Sequence, residues 1–204
     1  MRATRRGALS IPILFAILAG IAATTAAQAA PEDWDWNYNV VLGRRNVSEK
    51  DWDPFHDYGE MGIEASWGKA DEPLLFATDF YASQDIKRIG LATVESKSFE
   101  LDLGLRKIWT FKKRWNPYFG AGFTLASADA ESPTSSGLNS DSDLTEGMWA
   151  GAGIFFRAGT NFNFGVVARA TVMREYRVFG ANRDANSTHI GFVIGWGAER
   201  SGEK

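Results

Sequence analysis

Two histidines, no cysteine and 25 carboxylate side chains bound the chemistry open to this 204-residue chain. Without cysteine there is no thiolate metal site, no disulfide framework and no thiol nucleophile. His56 lies in Asp51-Trp52-Asp53-Pro54-Phe55-His56-Asp57, where Asp53, His56 and Asp57 offer two carboxylates and one imidazole. In an acidic loop such a set reads as solvated rather than metal-binding, and no metal or cofactor is assigned. His189, followed by Ile190-Gly191, stands in a segment of alternating polarity. The charges with a pattern are Glu60, Glu64, Asp79, Glu100, Asp102, Arg106, Arg157, Arg169, Glu175 and Arg177, which alternate with apolar neighbours. A period of two puts such residues on one face of strands, where acids and arginines from different strands can pair.

The elements that carry them read as strands throughout. Phe99-Glu100-Leu101-Asp102-Leu103-Gly104-Leu105-Arg106 separates an apolar face from a polar one, and a helix would mix the two sets. Seven further segments behave alike: Trp34–Arg45, Tyr58–Gly68, Leu74–Ser83, Asn116–Ala128, Glu146–Arg157, Phe162–Arg177 and Thr188–Gly197. Short turns follow the second, fourth and sixth segments. The connections Asn46–Asp57, Gln84–Ser98, Asp129–Thr145 and Val178–Ser187 are longer and more polar, and the third is low in complexity and expected to be mobile. Eight strands with short turns at one end and long loops at the other make an all-β, eight-stranded antiparallel up-and-down β-barrel.

Alternation alone does not say which face is inside. The apolar phase carries one charge, Lys107, and gathers its aromatic residues at the short-turn end: Trp34, Trp36, Trp67, Phe76, Trp109, Phe111, Phe119, Phe156, Phe162, Phe164 and Trp196. A lipid–water interface sorts aromatic residues by height, whereas a soluble core has no reason to. The opposite phase carries the charges together with Gly62, Gly104, Gly120, Gly122, Gly151 and Gly153, which leave room in a narrow lumen. A soluble ligand-binding barrel would turn the whole apolar phase to water. The barrel is therefore transmembrane.

Residues 1–29 read as a cleavable signal peptide, with Arg2, Arg5 and Arg6 ahead of an apolar run from Leu9 to Ala23 and a cut expected after Ala29 at Ala27-Gln28-Ala29. The barrel then occupies residues 30–204. Removing the three leader arginines makes a chain of net charge -3 more acidic still, which excludes nucleic acid as the main partner. The mean hydropathy of -0.22 suits strands with one wet face rather than membrane helices.

Asn116-Pro117-Tyr118-Phe119-Gly120-Ala121-Gly122, Gly151-Ala152-Gly153-Ile154 and the last strand resemble the small bacterial outer-membrane barrels of the OmpA/OmpX/Ail type, and the resemblance covers Trp34 to Trp196. In Gly191-Phe192-Val193-Ile194-Gly195-Trp196, the residues Gly191, Ile194 and Trp196 match the closing-strand signal read by that family's assembly machinery, although this chain continues to Lys204. The resemblance implies a place in the bacterial outer membrane, with outer-membrane lipid, lipopolysaccharide and the assembly machinery as partners. It implies a structural or surface-interaction role, with host or surface ligands met at loops 46–57 and 129–145, where Trp52 and Phe55 suit such contacts; Phe179 does the same in the last loop. The lumen is expected to be plugged by its charges, with Arg169 in salt-bridge range of Asp79, Glu64 or Asp102, since eight strands leave room for side chains only. Two alternatives are a narrow channel for small solutes and a lipid A-modifying enzyme. A deacylase of this kind would need an outward His-x-Ser pair with an acid nearby, and neither His56 nor inward-phase His189 makes one.

Overall fold

The computed structural model describes residues 34–47, 49–69, 72–111, 114–134, 137–159 and 161–197. The expected signal peptide, its cut after Ala29 and the tail beyond Gly197 lie outside the described residues. Eight long strands close into a barrel: β1 (Trp34–Val47), β2 (Asp57–Lys69), β3 (Leu75–Ile89), β4 (Ala92–Ile108), β5 (Trp115–Thr134), β6 (Gly137–Ala158), β7 (Phe162–Met173) and β10 (Ser187–Gly197). Each pairs antiparallel with its chain neighbour, and β1 closes the ring on β10 from Asn37↔Gly197 to Val47↔Ser187. In lipid every unpaired backbone N–H and C=O costs several kcal/mol, so a sheet that spans a bilayer must close on itself. A short helix, α1 (Glu49–Trp52), and a small hairpin, β8 (Tyr176–Val178) with β9 (Ala181–Arg183), belong to the long connections.

The alternation sorts the two faces. Outward residues such as Phe119, Phe123, Met148, Val172, Phe192 and Trp196 are exposed, while the residues between them are buried. Of the expected aromatic ring, Phe76, Trp109, Phe111, Phe119, Phe162, Phe164 and Trp196 are exposed and Trp34, Trp36, Trp67 and Phe156 are half-buried. Trp115, read from sequence as part of a turn, opens β5 on the same ring and stacks edge-on against Phe156. Lys107 folds over the Trp109 ring, its ammonium 5.6 Å from the ring centre.

Inside, large residues fit because glycines face them. Tyr81 and Tyr118 lie across their register partners Gly62 and Gly153, and Trp149 reaches over Gly120. A Cβ at any of the three would run into the ring above it, so the glycines make space for aromatic residues as well as for charge.

Two expectations fail above the membrane. The segments Gln84–Ser98 and Asp129–Thr145 are largely paired strand rather than loops. β3 and β4 pair up to Ile89↔Ala92, turning at Gly90, and β5 and β6 pair up to Thr134↔Gly137. β4 and β5 stay joined up to Ser96↔Ala130, so the four strands form one wall that rises beyond the lipid-facing band. Away from lipid both faces of a strand are polar, and the hydrophobic alternation that signals a strand disappears while the backbone pairing continues. The seventh segment, expected to run to Arg177, ends at Met173.

Candidate functional site

Three layers fill the lumen. Towards the short-turn end Val41, Leu75, Ile108, Tyr118, Phe155, Val167 and Val193 pack together with Tyr81 as an apolar floor. Below it Asn163 donates to Asn37 at 2.5 Å and accepts from Arg157 Nε at 3.1 Å, so Arg157 sits at the short-turn mouth rather than among the acids.

Above the floor lies the charged layer. Glu64, Asp79 and Asp102 are register neighbours on β2, β3 and β4, three carboxylates side by side and all buried. Arg106, four residues further along β4 than Asp102 and opposite Leu75, reaches up to 2.5 Å from Asp79 and 3.9 Å from Glu64, and it also donates to Ser66. Tyr81 and Tyr118 donate to the two oxygens of Glu64 at 2.8 and 3.0 Å. From the opposite wall Arg169 pairs with Asp102 and, at 2.8 Å, with Glu100, its guanidinium 3.8 Å from the Tyr81 ring centre. Arg45 holds the other oxygen of Glu100 at 2.9 Å. His189 contacts Glu60 at 2.6 Å and Ser187 at 2.8 Å. Every barrel strand except β5 and β6 contributes a charged or imidazole group to this layer; those two contribute Tyr118 and Trp149, over which Arg106 lies.

The third layer is a roof. Trp52 from α1 is only 4% exposed and packs with Tyr176, Val178 and Ala185 against Ala126, Ala128 and Ala130 of the wall. Its indole donates to the Asp184 carbonyl at 2.6 Å, and Arg183 stacks over the ring while bonding the Asp51 carbonyl. Phe55 packs with Tyr58 and Val94 beside it. Burial pushes the Tyr176 phenol up to about 12, so the roof presents no charge there to the layer beneath. The three alanines matter because larger inward residues would occupy the space that Trp52 and Tyr176 fill.

Eight of the ten charges picked from sequence face the interior. Glu175 and Arg177 do not: both are exposed beyond the end of β7, where the chain leaves the barrel and parity no longer reports the lumen. Arg177 instead donates its backbone N–H to Asp143. Arg169 meets Asp102, one of its three expected partners. Arg45, His189 and the tyrosines escaped the charge list, although Arg45 has inward parity at the last residue of its sequence-read segment. The expectation that Trp52 and Phe55 contact external ligands is corrected by their burial, and Phe179 packs half-buried against the same roof. Among the described residues Asp53, His56 and Asp57 form no metal-binding group, and Asp57 pairs with Arg44. Gly191 faces inward, while Ile194 and Trp196 lie on the exposed outer face of β10.

No family model and no curated protein matches the sequence. Solved structures do. Neisserial surface protein A superposes with a TM-score of 0.54 at 12% identity, covering 81% of this chain and 97% of that one. Ail, the attachment invasion locus protein of Yersinia pestis, solved in complex with the heparin analogue sucrose octasulfate, gives 0.56 at 10% identity, covering 81% and 99%. The Ail structure described without that ligand gives 0.51 over a similar share. At such identities the likeness carries architecture, and it agrees with the inside-out polarity, the aromatic ring and the eight-strand closure: the chain has the fold of the small eight-stranded outer-membrane β-barrels.

Proposed function

We propose that the chain is an integral outer-membrane protein with a structural or surface-interaction role and a lumen that conducts no steady current. The observation that carries this reading is the filled interior, with an apolar floor, a cross-linked ionic layer and a roof folded back from the loops. The lipid-facing band and aromatic ring suit a bilayer, with outer-membrane lipid and lipopolysaccharide as surroundings. The outward Ile194 and Trp196 with Gly191 suit recognition of the closing strand during assembly. Short turns on such barrels face the periplasm and long connections the exterior, which puts the wall and roof outside the cell.

Ail carries a sulfated ligand in its complex. The external wall of this chain is less suited to a polyanion, since its outer face holds Glu95, Asp129, Glu131 and Glu146 against Arg88 and Lys97, with Lys97 paired to Glu95 and Glu146 paired to Arg174. We infer a neutral or basic surface partner met by the wall rather than by the residue 46–57 loop, whose aromatic side chains are committed to the roof. The test of the plug is planar-bilayer recording on the refolded barrel. Only brief, small events are expected, and a large steady conductance would overturn the reading in favour of a channel.

A further inference from the structure

Ser187, His189 and Glu60 stand in line at the top of the charged layer. Ser187 Oγ lies 2.8 Å from His189 Nε2, and His189 Nδ1 lies 2.6 Å from Glu60 Oε2; with the imidazole proton on Nδ1, facing the carboxylate, the serine hydroxyl donates to Nε2. The order is that of a nucleophile, a base and an acid that fixes the base's tautomer. The spacing follows from the fold: residues two apart on β10 share its inward face, and Glu60 reaches the imidazole from β2, on the far side of β1. A lipid-facing hydrolase would need such a set on the outer wall, whereas here it faces the lumen. Thr171 Oγ1 lies 2.6 Å from the serine oxygen, and Arg169 Nη2 lies against both ring nitrogens of His189, 3.2 Å from Nδ1 and 3.3 Å from Nε2.

Access is decided by the roof. Ser187 forms the topmost rung of β10 with both neighbours, Val47 on β1 and Thr171 on β7; β1 ends at that rung and β7 runs only two residues further, to Met173. The segment that runs into it, from Asp184, is tied down by the Trp52 indole and by the Asn186 side chain bonded to Met173. Loosening Trp52 therefore loosens the chain directly beside the serine.

We propose that Ser187, His189 and Glu60 form a nucleophilic site that cleaves small carboxylic esters reaching the external mouth when the roof lifts. Ser187 Oγ bonds to the carbonyl carbon as its proton passes to His189 Nε2. Thr171, whose hydroxyl lies 2.6 Å from the serine oxygen, is the donor nearest the developing oxyanion. The ester C–O bond then breaks and the alcohol leaves with that proton. Water, giving a proton to His189, releases the acid and restores the serine hydroxyl, so the only co-reactant is water. Glu60 acts as a positioning residue through the imidazole.

The test is labelling of the refolded full-length barrel with a fluorophosphonate–rhodamine probe, followed by peptide mapping, with p-nitrophenyl acetate as ester. The label is expected on Ser187 and absent in Ser187→Ala. It should fall about 100-fold or more in His189→Gln, which loses the base. Trp52→Ala, or Arg183→Ala if the first does not fold, should label several-fold faster than the native chain. Glu60→Gln should move the pH profile of labelling to lower pH, because the imidazolium loses the nearer of the two carboxylates that face it, while Glu100 Oε2, 3.7 Å from Nε2, and the cations Arg169 and Arg45 stay in place; a residue that merely supports the fold would leave that profile in place. Folding is checked by heat-modifiable migration. No label on the folded native barrel or on a folded roof variant, or a label mapped to any residue other than Ser187, overturns the proposal. None of these results bears on conductance, so the plug and the ester site stand or fall separately.

Discussion

At the scale of single residues the lumen is governed by how costly an unpaired buried charge is. Among the described residues Arg169 is the ion-pair partner of Asp102; it also shares Glu100 with Arg45 and covers the Tyr81 ring. Removing one partner of such a group typically costs about 3–5 kcal/mol, because the remaining charge stays buried without its counter-ion. Arg169→Met should therefore lower the stability of the refolded barrel by an amount of that order in urea titrations. Arg169→Met combined with Asp102→Asn should recover part of the loss, since the orphaned carboxylate goes with its partner. Equal losses in the single and the double variant would show that the ion pair is not what Arg169 supplies. Parity in the sequence places eight of the ten chosen charges inside, but the partner each one meets depends on register across strands far apart in the chain. Arg106 illustrates this: its register partner on β3 is Leu75, yet its long side chain reaches along the sheet to Asp79, 27 residues away in the chain.

Among the elements, the wall of β3 to β6 does the work expected of loops. Its upper part is polar and rich in serine, and the expected loop Asp129–Thr145 carries no hydrophobic signal that would announce a strand. Pairing continues there because hydrogen bonding between backbones needs no apolar side chain. The inner face of the wall holds the roof: Ala130 packs in the roof cluster, and the carboxylates of Asp141 and Asp143 accept the backbone N–H groups of Phe179 and Arg177. Two deletions separate these roles. Removing Ser132–Asn139 should leave both barrel and roof intact. Removing Ala130–Asp143 should leave the heat-modifiable barrel band but free the β8–β9 hairpin, read as faster tryptic cleavage at Arg177 and Arg183. Equal cleavage in the two deletions would mean that the wall does not hold the roof. The same wall explains why Trp52, an exposed loop residue when read from sequence, is buried: three alanines leave a recess that only the folded wall creates.

For the molecule as a whole the eight tryptophans report the inside-out polarity. Trp34, Trp36, Trp67, Trp109, Trp115 and Trp196 belong to the outer ring, whereas Trp149 and Trp52 are shielded by the lumen and the roof. Single-tryptophan variants in bilayers with brominated acyl chains should show strong quenching for the ring positions and little for Trp52 or Trp149. Quenching of Trp52 to the level of Trp196 would rule out the roof. Strand number, the lipid-facing phase, the height of the aromatic ring and the inward parity of most charges are all written in the sequence, because each follows from a local period of two and from the two solvents a membrane strand faces. The tertiary structure alone decided which acid meets which arginine, where the strands end outside the membrane, that the loop aromatics turn inward, and that Ser187, His189 and Glu60 share one line. These depend on the closure of β1 on β10 and on the stagger between strands, which bring together residues more than 100 positions apart and leave no trace in any local stretch of the chain.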